Sequence, residues 1–105
     1  MIGTAATDLT DHKASFSNYG PNANVDAPGV NIVSAYPGGY YAILSGTSFA
    51  APMVAGEAAL LRSLNAVANV ANIASTATNI DSKNPNYAGQ LGSGRIDVGR
   101  AVTTK

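Results

Sequence analysis

The 105-residue sequence contains no cysteine, no tryptophan and only one histidine. The absence of cysteine excludes disulfides and a cysteine nucleophile. Charged residues make up only 11% of the chain, against roughly 25% in an average soluble domain. This shortage predicts either a surface built from Ser, Thr, Asn and Gly, or faces that pack against a larger body. Because six basic and six acidic residues balance, nothing favours nucleic acid or an anionic membrane as a partner.

Long apolar stretches are also lacking. The most apolar run, residues 49–61, is too short to cross a bilayer and is interrupted by Pro52 and Glu57. Residues 1–8 contain no basic segment followed by an apolar core, so we expect no signal peptide within this chain. The length is typical of one folding unit.

The first half of the chain has the pattern of short strands separated by turns. Small and β-branched residues predict a buried strand over residues 1–7. An apolar run interrupted by Pro28-Gly29 predicts two short strands joined by a bend within residues 25–33. The Pro-Gly-Gly turn at 37–39, followed by the strand-like run 40–44, predicts a hairpin.

The second half is predicted to be mainly helical. A helix should begin at Thr47 or Ser48 and end near Leu64, and because it is apolar on nearly all sides it has the pattern of a buried helix. Pro52 fits its first turn, where backbone N–H groups have no intrahelical partner. Further elements are expected as follows: a helix at 68–77, a loop at 78–86, a short strand or turn at 95–98, and a last helical turn at 98–102.

The junction before the long helix places Ser48 where chemistry can occur. Unpaired N–H groups and the positive end of the helix dipole favour negative charge there, so a serine could attack a carbonyl while its own N–H holds the resulting oxyanion. A Ser or Thr before a helix is also a common N-cap. On the triplet Gly46-Thr47-Ser48 alone, the cap is the favoured interpretation.

The longer string GTSFAAPMVAG, residues 46–56, resembles the signature around the catalytic serine of the subtilisin-like serine proteases. That signature is Gly-Thr-Ser, any residue, Ala or Ser, any residue, Pro, any residue, Val-Ala-Gly, and every specified position matches. Four further segments are similar to the family's own, in the same order. They are the strand ending in Gly-Ala-x-Asp (1–8), Ala-x-Phe-Ser-x-x-Gly (14–20), Ala-Pro-Gly-x-x-Ile (27–32) and the closing Gly-x-Gly-x-x-Asn/Asp (92–98). Essentially the whole chain is identified as similar to this family.

The resemblance implies an α/β fold, doubly wound with a mostly parallel sheet. Residues 1–105 would supply the C-terminal portion of the peptidase domain: the last strands, the nucleophile helix and the closing helices. The implied activity is hydrolysis of peptide bonds in a polypeptide substrate, with no metal or cofactor, by a parent protein that is secreted. The implied site consists of the nucleophile Ser48, Thr47 supporting the oxyanion, and three substrate-binding residues. Of these, Leu44 and Ser45 would line the leaving-group side of the cleft, and Gly46 would permit close approach of the substrate.

The catalytic base is missing from this resemblance. Subtilisins carry the triad in the order Asp, His, Ser, and the similarity to this chain starts after the first two. His12, flanked by Asp8, Asp11 and Lys13, falls at a surface loop of the family and is expected to be solvated. The family's oxyanion-hole asparagine, also upstream of the serine, has no counterpart either. In subtilisin itself, losing the triad serine or histidine is known to cost on the order of 10⁶ in turnover, so the isolated chain is expected to be inactive.

Two alternatives remain open at this level. One is a non-catalytic structural or self-associating module, because a buried helix and a sheet edge without the rest of the domain would face water. It predicts a homo-oligomer, as a dimer or swapped assembly, or a rearranged fold. The other, ranked last, is a small metal-binding domain using Asp8, Asp11 and His12.

Overall fold

The computed structural model describes residues 2–64 and 69–103 and contains two separate pairs of strands. Strands β1 (Thr4–Thr7) and β2 (Val25–Pro28) pair in parallel, with Ala5 opposite Asp26. Strands β3 (Ile32–Tyr36) and β4 (Tyr40–Leu44) form an antiparallel hairpin around the Pro-Gly-Gly turn. The predicted hairpin and the bend between two short strands are therefore confirmed.

Within the described ranges, three α-helices follow the hairpin: α1 (Thr47–Ser63), α2 (Val70–Ser75) and α3 (Val98–Thr103). Helix α1 begins at a predicted residue, and α3 covers the predicted last turn. Helix α2 is shorter than the predicted 68–77, and the predicted starting residue, 68, lies outside the described residues. The predicted loop at 78–86 contains two short 3₁₀ turns, Asp81–Lys83 and Pro85–Tyr87.

The parallel pair β1–β2 is the centre of the molecule, and each of its faces is covered. Helix α1 packs against both strands on one face. The apolar core on that side combines strand, helix and tail residues: Ala6, Ala14, Val25, Ala27, Ala50, Val54, Leu61, Ile73, Ile96 and Ala101. On the opposite face Ala5 packs with Ile80 and Leu91. This two-sided cover is typical of parallel strands.

The tail segment, defined here as residues 92–98, closes the outer edge of β2. The Asp26 N–H donates to the Gly94 carbonyl at 2.8 Å, and the Ile96 N–H donates to the Asp26 carbonyl at 2.8 Å. Arg95 also exchanges two backbone hydrogen bonds with Thr78. The strand or turn expected at 95–98 is thus a bridge made by Arg95, between β2 and the chain after α2.

The prediction of a buried helix is met on only one face of α1. The buried side chains follow helical spacing at Ala50, Val54, Glu57 and Leu61, whereas Leu60 on the outer face is 48% exposed. The hairpin is also open to solvent, with Tyr41 79% and Ile43 67% exposed. None of the described residues covers these surfaces, so only additional elements could bury them. None of the described helices is long and apolar enough to cross a membrane.

Candidate active site at the start of α1

The start of α1 is anchored to the end of β2 through two glycines. The Gly46 N–H donates to the Gly29 carbonyl at 2.7 Å, and Gly46 has φ of 154°, a value that L side chains rarely adopt. A Cβ on Gly29 would lie 2.8 Å from both the Ala6 Cβ and the Gly46 carbonyl oxygen. Because there is no room for that atom, Gly29 lets β1, β2 and the helix start approach closely.

A second anchor comes from Ser45, whose Oγ accepts a hydrogen bond from the Asn31 N–H at 2.9 Å. Asn31 adopts φ of 56°, in the left-handed region that asparagine tolerates better than most residues. Ser45 therefore joins the segment before α1 to the turn after β2. Neither Gly29 nor Asn31 was assigned to the site from sequence, although the Ala-Pro-Gly motif that contains Gly29 had been recognised.

The side chain of Ser48 is exposed and is not used as a helix cap. The N-cap residue is Gly46, with no side-chain cap, so Thr47 and Ser48 are the first two residues of the helix. Within residues 2–64 and 69–103, the Ser48 hydroxyl and the N–H groups of Thr47 and Ser48 have no hydrogen-bond partner. The capping interpretation is therefore wrong for Ser48, because its hydroxyl holds no backbone donor.

The resulting arrangement suits an incoming carbonyl group. A hydroxyl and two N–H donors, none of them with a hydrogen-bond partner among the described residues, lie together at the positive end of a 17-residue helix. The five residues of the predicted site, 44–48, are contiguous. The fold contributes the hydrogen bonds from Gly46 to Gly29 and from Asn31 to Ser45, and these bonds set the direction in which the start of α1 faces.

His12 belongs to a self-contained loop and makes no described contact with Ser48. Its Nδ1 lies 2.8 Å from the Thr10 Oγ1 and 3.9 Å from the Asp8 Oδ1, and its ring is exposed. Although slight burial acts in the opposite direction, hydrogen bonds from Thr10 and His12 hold the pKa of Asp8 below its usual value. In the described part of the chain no three His, Asp or Glu side chains converge as metal ligands, so the metal-binding alternative gains no support.

Two buried carboxyl groups lie away from Ser48, and sequence reasoning missed both. Asp26 on β2 is fully buried, and burial, with smaller contributions from Asp81 and Asp11, raises its pKa to about 7. Glu57 on α1 is 1% exposed, and burial together with Asp97 raises its pKa as well. The signal available in the sequence was an acidic residue inside an otherwise apolar strand or helix.

Comparison with known proteins identifies the family. The sequence profile of the Subtilase family (Peptidase_S8) matches residues 1–94. This chain belongs to the subtilase family. Thermitase from Thermoactinomyces vulgaris is 44% identical over 101 residues, which cover 96% of this chain and 36% of thermitase. Subtilisin Savinase from Lederbergia lenta is 46% identical over 87 residues, covering 79% of this chain and 32% of that protein.

Solved structures agree with the sequence relatives. A protease from Pseudoalteromonas arctica superposes with a TM-score of 0.82 at 30% identity, covering 98% of this subtilase chain and 35% of that structure. The patellamide maturation protease PatA gives 0.79 at 33% identity, covering 96% and 41%. The chain thus spans about a third of the length of the curated relatives it matches. The predicted serine-endopeptidase family and the predicted α/β fold are confirmed.

Proposed function

We propose that this chain carries the nucleophile end of a subtilisin-like serine endopeptidase, with Ser48 attacking the scissile carbonyl of a polypeptide. The observation that carries the proposal is the exposed Ser48 hydroxyl on the first turn of α1, beside two N–H groups without acceptors among the described residues. On this proposal, residues 1–105 form the C-terminal portion of the peptidase domain.

Each neighbouring residue has a part in that chemistry. Attack by the Ser48 Oγ on the scissile carbonyl gives a tetrahedral intermediate, whose oxyanion accepts a hydrogen bond from the Ser48 N–H. The peptide C–N bond then breaks, the amine leaves with the proton that the base took from the hydroxyl, and the acyl-enzyme remains. Thr47 supports the oxyanion site, and Gly46 lets the substrate backbone approach because it has no Cβ. Leu44 and Ser45, both exposed beside the serine, line the leaving-group side of the cleft.

The base that accepts the Ser48 proton is not among the described residues that contact Ser48, so it must be supplied by another part of the protein. Ser48 has no hydrogen bond to an imidazole among the described residues, and a neutral serine hydroxyl is a weak nucleophile without an adjacent base. We therefore expect the chain alone to be inactive. An Asp and a His supplied in the order Asp, His, Ser would complete the triad.

A second candidate function is a structural or self-associating module. It is favoured by the exposed apolar residues of the hairpin and of the outer face of α1, which a second copy could cover in a homo-oligomer. We place the parent protein outside the cell because the family resemblance implies secretion. The sparse charge and the lack of cysteine are compatible with that location.

Labelling with a fluorophosphonate probe tests the first candidate. The chain is incubated with the probe alone and after mixing with the part of thermitase that precedes the region matched by this chain. Labelling is expected only in the mixture, and Ser48→Ala should abolish it. The exposed Ser15 offers a matched control, because Ser15→Ala should label like the original chain.

The two candidates give different outcomes. If gel filtration shows that the mixture forms a complex and Ser48 remains unlabelled, the nucleophile role is refuted and only the structural function survives. Light scattering of the chain alone tests the second candidate. A monomer at high concentration would contradict self-association.

A further inference from the structure

Strand β2 contains an acidic side chain where its neighbours are apolar. Asp26 lies between Val25 and Ala27, and all three are completely buried. Neither carboxyl oxygen of Asp26 has a hydrogen-bond partner within the described residues. A carboxylate cannot be kept in such a place without a compensating charge or donor, and a buried carboxyl usually responds by keeping its proton.

The alternation of side chains along β2 shows which face Asp26 occupies. Val25 and Ala27 belong to the core shared with α1, so Asp26 points to the opposite face, where Ala5 is its register partner. Thr7, two residues after Ala5 in β1, faces the same side. Its hydroxyl is likewise fully buried and has no described partner. This face of the pair therefore holds two buried polar side chains beneath an apolar cover.

The charged groups around Asp26 do not neutralise it. Asp81 lies on the first 3₁₀ turn and Asp11 in the loop after β1, and both carboxylates add to the effect of burial in raising the Asp26 pKa to about 7. The cation on the adjacent tail segment, Arg95, is already paired with Asp11, at 2.6 Å between Nε and Oδ1. Because Asp26 is completely covered by this chain's own residues, a further segment could reach it only by displacing them.

The backbone of Asp26 holds the tail segment in place. Its N–H and carbonyl make the 2.8 Å hydrogen bonds to Gly94 and Ile96 described above. Three residues after Asp26, Gly29 accepts the hydrogen bond that anchors Gly46 at the start of α1. The tail segment cannot leave the edge of β2 without breaking the first two bonds, which lie close to the third along the chain.

We infer that Asp26 is a pH latch: with its carboxyl protonated, β2 holds the tail segment, and release of that proton to solvent drives the contact open. This inference does not depend on the role of Ser48. The sign follows from linkage. The closed form keeps the proton up to about pH 7, whereas the open form releases it at an ordinary aspartate pKa. The ratio of closed to open chains should thus fall about tenfold per pH unit between about pH 4 and pH 7, and level off above that.

Amide hydrogen exchange at Ile96 measures this opening directly. After correction for the intrinsic exchange rate, protection at Ile96 should fall about fiftyfold between pH 5 and pH 7, because the fall begins to level off as the pH reaches the closed-form pKa of about 7. In Asp26→Asn, which keeps the size of the side chain and cannot ionise, protection should be independent of pH. Glu57→Gln removes the other buried carboxyl and is the matched control, because the fall at Ile96 should persist in it. A fall that persists in Asp26→Asn, or one that disappears in Glu57→Gln, would overturn the inference.

A titration of the original chain keeps the test decisive even if Asp26→Asn does not fold. The ¹³C shift of the Asp26 carboxyl, followed by NMR, should have its midpoint near pH 7. A midpoint below about pH 5, in the ordinary aspartate range, would show that the buried carboxyl carries its charge without strain on the fold and would refute the latch.

Discussion

The two strand pairs of this molecule are stabilised in different ways. The hairpin β3–β4 is rich in Tyr, Ile and Val, which favour strands, yet most of its side chains face solvent. The parallel pair β1–β2 consists of four-residue strands with Ala, Thr, Asp and Pro, and it is almost entirely buried. Local strand preference and a tight turn specify the pairing of the hairpin, whereas the parallel pair has α1 and the tail segment packed on it.

The candidate active site lies where these two regions meet. Gly46 follows β4 and is hydrogen-bonded to Gly29 at the end of β2. The position of Ser48 thus depends on the buried pair, although its chain neighbours belong to the exposed hairpin. Substitutions in the two regions should therefore differ in their cost, and three comparisons test this from the largest effect to the smallest.

The largest effect is expected for Gly94→Ala in the tail segment. Gly94 has φ of 114°, and a Cβ there would collide with the Thr78 carbonyl. Backbone strain and overpacking together should lower the free energy of unfolding by about 4 kcal/mol, measured by urea denaturation. Gly20 has nearly the same φ, 116°, and a Cβ added there would have no atom within 4 Å. Gly20→Ala should therefore cost only the strain, about 1–2 kcal/mol. Equal costs would show that the tail segment does not pack tightly on the buried pair.

This dependence on tertiary packing also explains which features could be predicted from the sequence. The hairpin and the start of α1 are encoded locally, by the turn at 37–39 and by Ser45-Gly46 before an apolar helix. The proposed roles of Ser48 and Thr47 rest on the motif at 46–56. The bridge at Arg95 could not be predicted, because a single residue carries no periodicity and its partners are 17 and 69 residues away.

Burial was the other feature that the sequence did not reveal. The burial of Asp26 was not predicted because a strand covered on both faces does not alternate apolar and polar residues. Exposure of part of α1 was expected if the rest of the domain is absent, but which face is exposed could not be predicted, because the helix is apolar on nearly all sides.

The second comparison sets a buried isoleucine against an exposed one. Ile73 on α2 is completely buried in the core, whereas Ile43 on β4 is 67% exposed. Ile73→Ala should lower the free energy of unfolding by about 3 kcal/mol, because it removes packed methyl groups and leaves a cavity. Ile43→Ala should change it by less than about 0.5 kcal/mol. Urea denaturation at several protein concentrations measures both. A large, concentration-dependent cost for Ile43→Ala would mean that the hairpin is buried between copies of the chain, and the contrast between the two regions would then hold only for the monomer.

The smallest difference separates two serines that lie three residues apart. Ser45 Oγ holds the Asn31 N–H at 2.9 Å, whereas Ser48 Oγ has no described partner. Ser45→Ala should therefore lower the free energy of unfolding by about 1 kcal/mol, and Ser48→Ala should leave it within about 0.5 kcal/mol of the original. Thermal and urea unfolding of the two variants in parallel give the comparison. If the Ser48 hydroxyl serves chemistry and not the fold, removing it should leave stability unchanged. A loss of stability in Ser48→Ala equal to that in Ser45→Ala would instead favour a structural role for both serines.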